Sequence, residues 1–150
     1  THNSLLPHNR GKHPYFWAIV EERPYGVTLH KVDEGIDTGD IVAQREICYG
    51  WEDTAGTVYE KSLKELISLF CEEYPKFRNG DFNLKPQGDF GSFHRGKEIE
   101  IASEIDLDAV YTARELINIL RAGTTSTSFP ASFFKDGKDI YRVKVIIEKE

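Results

Sequence analysis

A chain of 150 residues, 39% hydrophobic and 29% charged, is sized for one core and is short for two. No stretch approaches the ~20 consecutive apolar residues of a membrane helix. A net charge of −6, with Lys and Arg interspersed among more numerous acids, argues against a nucleic acid as direct partner, which calls for a basic patch.

Cys48 and Cys71 stand alone, outside any C-x-x-C pair. They speak against a zinc or dithiol site, and in a chain without a charged-then-apolar leader they read as reduced, cytoplasmic thiols. The sequence has no methionine, and its opening, THNSLLPHNRG, reads as a loop that starts inside a longer protein. Asn3, Pro7, Asn9, Gly11 and Pro14 give residues 3–14 the chemistry of a loop. YFWAIVEE follows Pro14, which suits a first helical turn, and its Tyr15, Phe16 and Trp17 read as core. YGVTLHKV, 25–32, alternates as a strand does; DEGIDTGD, 33–40, is an acidic turn; IVAQREI, 41–47, is a second strand.

A long helix begins at Asp53 or Thr54, with Thr57 and Glu60 spaced as a capping box. Its expected apolar face is Tyr59, Leu63, Leu66, Ile67, Phe70 and Tyr74. Residues 80–98 read as irregular. A further helix spans 111–123, with Thr112 and Glu115 as a capping box and Gly123 as its stop. Residues 129–149 read as a hairpin turning at Asp136–Gly137. The expected organisation is an α/β body over 1–78, a linker over 79–98 and a helix-plus-hairpin tail over 99–150. The strands are few for a complete α/β sheet.

His2 is the first candidate for chemistry. A histidine placed in a loop with the short polar side chains of Asn3 and Ser4 can polarise a carbonyl oxygen or handle a proton. Asp33, Glu34, Asp37 and Asp40 form the second candidate. They read either as a solvated turn or as a loop that aims one carboxylate into a cleft, coupled to the nearby His30. His30 reads equally as a strand histidine satisfied by a neighbour. Arg10 and His8 are candidates for anchoring an anionic substrate, or a plain surface turn. His94 and Arg95 have no evident partner. The Gly-rich phosphate loops, the nucleophile elbow and the zinc-binding helix motif are all missing from the sequence, so neither a nucleophilic serine nor a bound metal is expected.

HNSLLPHNRGKHPYFWAI followed by GVTLHKVDEGIDTGDIVAQ resembles the formyltransferases that use 10-formyltetrahydrofolate, and EIDLDAVYTARELINILRAGTT resembles the segment that follows their catalytic domain. The resemblance is strong over 1–47. It implies an α/β fold: the downstream part of a Rossmann-like domain, then a small helix-plus-hairpin tail. The family's catalytic set is Asn, His and Asp. Here His2 matches the histidine and Asp37 the aspartate, while the asparagine falls one position before Thr1. The resemblance further implies that an amine attacks the formyl carbon of the donor, that His2 stabilises the oxyanion, and that Asp37 orients or charges His2 or accepts a proton. Val32, Asp33, Glu34, Gly35 and Ile36 would hold the pterin, and Ser4, Arg10 and His30 the acceptor. A nucleotide-linked amino sugar is the favoured acceptor, methionyl-tRNA the next. A non-catalytic module that binds folate or pairs with a second copy through its hairpin edge is the remaining alternative.

Overall fold

The computed structural model describes residues 1–88, 90–125 and 131–150. Strand β1 (Arg10–Gly11) is a two-residue piece inside the first loop. Helix α1 (Pro14–Val20) starts where Pro14 occupies a position whose N–H has no helical partner. It buries Phe16, Trp17, Ala18 and Ile19, as expected from their apolar run. β2 (Tyr25–His30) pairs antiparallel with β3 (Ile41–Ile47), from Tyr25 opposite Ile47 to Leu29 opposite Ala43. The register then shifts, so that His30 faces Ile41. Tyr25, Val27 and Leu29 are buried, and the acidic turn is the connection between the two strands.

α2 (Ala55–Asn79) is capped by Thr54, whose side chain accepts from the Thr57 N–H while the Thr57 hydroxyl accepts from the Thr54 N–H. The box therefore lies three residues before the expected Thr57–Glu60 pair. Gly80 ends the helix at φ 71°. The expected apolar face is also corrected. Ala55, Val58, Ser62 and Leu69 are buried, whereas Leu63, Ile67, Phe70 and Tyr74 are exposed. The buried stripe carries small side chains, Ala55 and Ser62, where the helix backs onto β2 and β3. Of the expected face, Tyr59 and Leu66 are partly buried and Leu66 packs against the core; a reading weighted by bulk turns the helix toward the neighbouring, exposed stripe.

The stretch read as irregular contains β4 (Phe93–His94), paired in parallel with β1, and leads into α3 (Glu98–Ser103). α4 (Ala113–Ala122) has the expected Thr112–Glu115 box and Gly123 as its cap. β5 (Ser132–Asp136) and β6 (Asp139–Val143) form the hairpin. Its turn is Gly137–Lys138, since Asp136 already pairs with Asp139, and the pairing stops at Val143 short of 149. Phe129 and Pro130, the expected start, lie outside the described residues. The described strands form three separate two-stranded sheets. Phe16, Val58, Ile99 and Ala122 share one hydrophobic core, so the tail's helices pack on the same interior as the body.

Arg121 of α4 is buried and donates to the carbonyls of Gly50 (2.6 Å) and Asp53 (3.2 Å) and to Asn118 Oδ1 (3.0 Å). Its guanidinium also lies 4.8 Å from the centre of the Trp51 ring. Among the described residues no helix is long and apolar enough to cross a membrane.

Candidate active site

The site forms where the first loop, the end of β2 and the acidic turn meet. His2 is anchored as backbone: its N–H donates to Thr28 O and its carbonyl accepts from Thr28 N–H, both at 2.8 Å. Beneath it the buried Thr28 hydroxyl donates to Ser4 O (2.6 Å) and accepts from the Leu6 N–H (3.2 Å) and Gln44 Nε2 (2.9 Å). The loop is thus pinned to the strand on both sides of Asn3.

The ring of His2 is 2.8 Å from Asn9 O through Nε2. A carbonyl only accepts, so Nε2 carries the hydrogen, and in the neutral ring the lone pair resides on Nδ1. Nδ1 lies 3.4 Å from Asp37 Oδ2. Burial holds the imidazole below its ordinary value of 6.5, against the Asn9 carbonyl and the Asp37 carboxylate, which raise it. Asp37 has φ 56°, in the left-handed region that Asp tolerates better than most side chains. Its Oδ2 accepts from the Gly11 N–H at 2.9 Å. Gly11 itself has φ 88°, and a Cβ there would collide with the His94 carbonyl, so glycine is required to aim this donor.

His30 joins from the other side. Its Nδ1 donates to Lys31 O at 2.9 Å, and its Nε2 is 3.7 Å from Asp37 Oδ1. The two imidazoles stand edge to face, 6.4 Å apart, with one carboxylate between them.

Val32 to Ile36 are all exposed, with Val32 at 89% and Ile36 at 61%. Asp33 Oδ1 accepts from the Gly35 N–H (3.1 Å) and the Thr38 hydroxyl (2.7 Å), so its carboxylate shapes the turn. Ser4 is buried and its hydroxyl donates to His8 O at 2.6 Å; it holds the loop and does not line its surface. Arg10 donates through Nε (3.0 Å) and Nη2 (2.8 Å) to Gln87 Oε1. His94, partnerless in the sequence, stacks on Trp17 at 3.9 Å between Glu21 and Glu98. Among the described residues no group of three or more His, Cys, Asp or Glu is gathered as metal ligands.

Gln87 and Ser92 were not legible as site residues. Both sit in the irregular stretch, and their partners are backbone groups and side chains 48 to 83 positions away, which leaves no periodic signal.

Residues 1–72 match the formyl transferase family, and residues 98–149 match the N-formyltransferase dimerization C-terminal domain. The chain belongs to the formyltransferase family. A dTDP-4-amino-4,6-dideoxyglucose formyltransferase of Mycobacterium tuberculosis is 31% identical over 151 residues, covering 99% of this chain and 64% of the relative. The crystal structure of a 4-N formyltransferase from Francisella tularensis superposes with a TM-score of 0.93 at 33% identity, covering 99% of this chain and 62% of that one. A formyltransferase from Anoxybacillus kamchatkensis, solved with UDP-4,6-dideoxy-4-formamido-L-AltNAc and tetrahydrofolate, has a TM-score of 0.67 at 36% identity, covering 81% of this chain and 62% of that one. The chain thus spans a little under two thirds of the length of these relatives, and its α/β fold corresponds, as expected from the sequence, to the downstream part of a Rossmann-like domain followed by a small helix-plus-hairpin tail.

Proposed function

We propose that the chain carries the proton-handling part of an active site that transfers a formyl group from 10-formyltetrahydrofolate to the amino group of a nucleotide-linked amino sugar. The observation that carries this reading is the buried His2 ring, fixed by Asn9 O with its Nδ1 turned to Asp37. The donor supplies the formyl group: the bond from the acceptor nitrogen to the formyl carbon forms, the bond from that carbon to N10 of the donor breaks, and N10 ends with the proton that the amine gives up. The acceptor amine loses a proton as it becomes an amide, and His2 Nδ1 is the lone pair suited to take it. Burial keeps the ring neutral and ready near neutral pH. Asp37 then faces the imidazolium and stabilises it, while Gly11 N–H holds the carboxylate in place.

With Nε2–H spent on Asn9 O, this arrangement favours proton uptake by His2 over the oxyanion-donor role that the resemblance implied. His30 Nε2 offers Asp37 a second partner when the proton moves on. The exposed Val32 and Ile36 side chains, flanking a turn of peptide groups, suit the face of a flat ring system such as a pterin. Arg10 is the candidate for the acceptor's phosphates.

The C-terminal match to a dimerization domain supports a second copy as partner. The same match and the net charge of −6 favour a nucleotide sugar over methionyl-tRNA.

The test follows conversion of 10-formyltetrahydrofolate to tetrahydrofolate with a panel of dTDP- and UDP-linked amino sugars and with methionyl-tRNA. It is run on this chain and on any longer form its gene encodes. Turnover with an amino sugar is expected, reduced about 10²–10⁴-fold by Asp37→Asn. Turnover with methionyl-tRNA alone overturns the acceptor. No turnover with any acceptor, in either form, overturns the assignment.

A further inference from the structure

The two family matches end at residue 72 and resume at residue 98, and the segment between them returns across the site. It is fixed at one end by Lys85, whose backbone exchanges two 2.8 Å hydrogen bonds with Ile41. At the other end His94 is stacked on Trp17. Between these anchors Gln87 Nε2 donates to Asp37 O (2.9 Å) and to Gly39 O (2.7 Å), and Gln87 Oε1 accepts from Arg10. Gly91 lies so close to the Pro7 carbonyl that a Cβ would overlap it. The Ser92 hydroxyl accepts from the Asn9 N–H and donates to Asn9 Oδ1, both at 2.8 Å. Asn9 is the residue whose carbonyl fixes the His2 tautomer.

We propose that Gln87 is a positioning residue for the His2–Asp37 pair: its amide brackets the Asp37–Thr38–Gly39 turn and ties that turn to Arg10, so that the Asp37 carboxylate stays against His2. The reasoning is mechanical. Asp37 sits in the left-handed region, where a non-glycine residue persists only if its surroundings hold it there. The Asp37 side chain receives one donor, from Gly11. Holding the Asp37 and Gly39 carbonyls with one amide group fixes the Asp37–Thr38 and Gly39–Asp40 peptide planes, and with the first of them the direction in which Asp37 projects. Arg10, gripped by the other end of the same amide, is placed relative to that turn. The proposal rests on the reading of His2 and Asp37 as the proton-handling pair, but its geometry is testable without turnover.

The experiment uses the full chain labelled for NMR. Gln87→Leu removes both ends of the bracket, and Gln87→Glu keeps an acceptor for Arg10 while removing the two N–H donors. The Gly11 amide proton, deshielded by Asp37 Oδ2, is expected to move upfield in both variants. In Gln87→Leu the His2 titration midpoint is expected to fall by roughly 0.5–1 pH unit as the opposite charge moves off. A structural role elsewhere would move neither signal. If the longer, active form is available, turnover should drop by about 10²-fold for a displacement near 1 Å. An unchanged Gly11 amide and His2 midpoint in the folded variants would overturn the proposal. If Gln87→Leu does not fold, Gln87→Glu decides through the Gly11 amide; loss of folding in both assigns Gln87 to global stability and equally overturns it. Absence of formyl transfer by the wild type, with both NMR shifts as expected, sinks the proposed function and leaves the positioning role standing.

Discussion

Thr28→Val replaces one hydroxyl by a methyl at almost constant volume, directly beneath His2. Thr28 is fully buried, so water cannot replace what is lost. The hydroxyl serves three groups: Ser4 O, the Leu6 N–H and Gln44 Nε2. Gln44 retains its 2.8 Å bond to Leu6 O, which leaves two backbone groups orphaned, one acceptor and one donor. At about 1–3 kcal/mol for each buried group left unpaired, the loss is roughly 2–6 kcal/mol. That is a large part of a total that is about 5–15 kcal/mol for most domains. At about 2–4 °C per kcal/mol for a chain of this size, the midpoint of thermal unfolding should fall by roughly 4–24 °C. Urea titration followed by tryptophan fluorescence measures the free energy directly. Thr28→Ser is the control: it keeps the hydroxyl, deletes one methyl and should lose only about 1 kcal/mol. A loss below about 1 kcal/mol for Thr28→Val, or one no larger than that of Thr28→Ser, would refute the claim that this hydroxyl secures the His2 loop.

Three further outcomes are expected. Burial lowers the His2 pKa from 6.5 in the folded protein, so the unfolded chain binds the extra proton first. This stabilising contribution is complete above pH 6.5 and is lost as pH falls through the folded pKa; the drop in melting temperature between pH 7.5 and 5 should be shallower in His2→Gln than in the wild type. Arg121→Met strands the Gly50 carbonyl and removes the cation from Trp51. It should destabilise by about 1.5–3 kcal/mol and shift Trp51 emission, read together in one fluorescence-monitored urea titration. Thr112→Ala removes the α4 cap and should cost about 0.5–2 kcal/mol; circular dichroism melts check it, and a neutral result would show that the start of α4 is held by packing alone.

The elements were legible where local chemistry decides them. β3 runs from Ile41 to Ile47, the bounds read from the sequence, and α4 starts and stops where Thr112, Glu115 and Gly123 place it. α2 was legible in extent and not in orientation, because its contact with the sheet is made through Ala55 and Ser62 while Leu63, Ile67 and Phe70 stay outside. Closeness of approach, set by the strands, overrode hydrophobic bulk. At the site, the proximity of His30 to Asp37 was already suggested by seven residues of spacing, and the structure brings both to one carboxylate. The fixing of the His2 tautomer by Asn9 O was out of reach, since it depends on a backbone carbonyl whose direction follows from φ 57° at Asn9. Gln87 was hidden for a similar reason: an amide side chain in a loop looks the same whether it faces water or brackets a turn.

The return of residues 85–88 and 90–94 over the first loop also sets an order of events during synthesis. The bonds that shape the site join residues far apart in the chain: Asn9 with Ser92 across 83 positions, Arg10 with Gln87 across 77 and Asp37 with Gln87 across 50. Contacts of such separation form late, because the entropy of closing the loop is lost before the contact returns anything. A nascent chain extended to residue 80 already contains α1, β2, β3 and α2, so its hairpin and helices can collapse on one another. Its histidine corner, however, lacks every bond that Gln87 and Ser92 will contribute. The growing polypeptide therefore passes through a stage with a formed body and an unshaped histidine corner, and that corner is completed by the last dozen residues before α3.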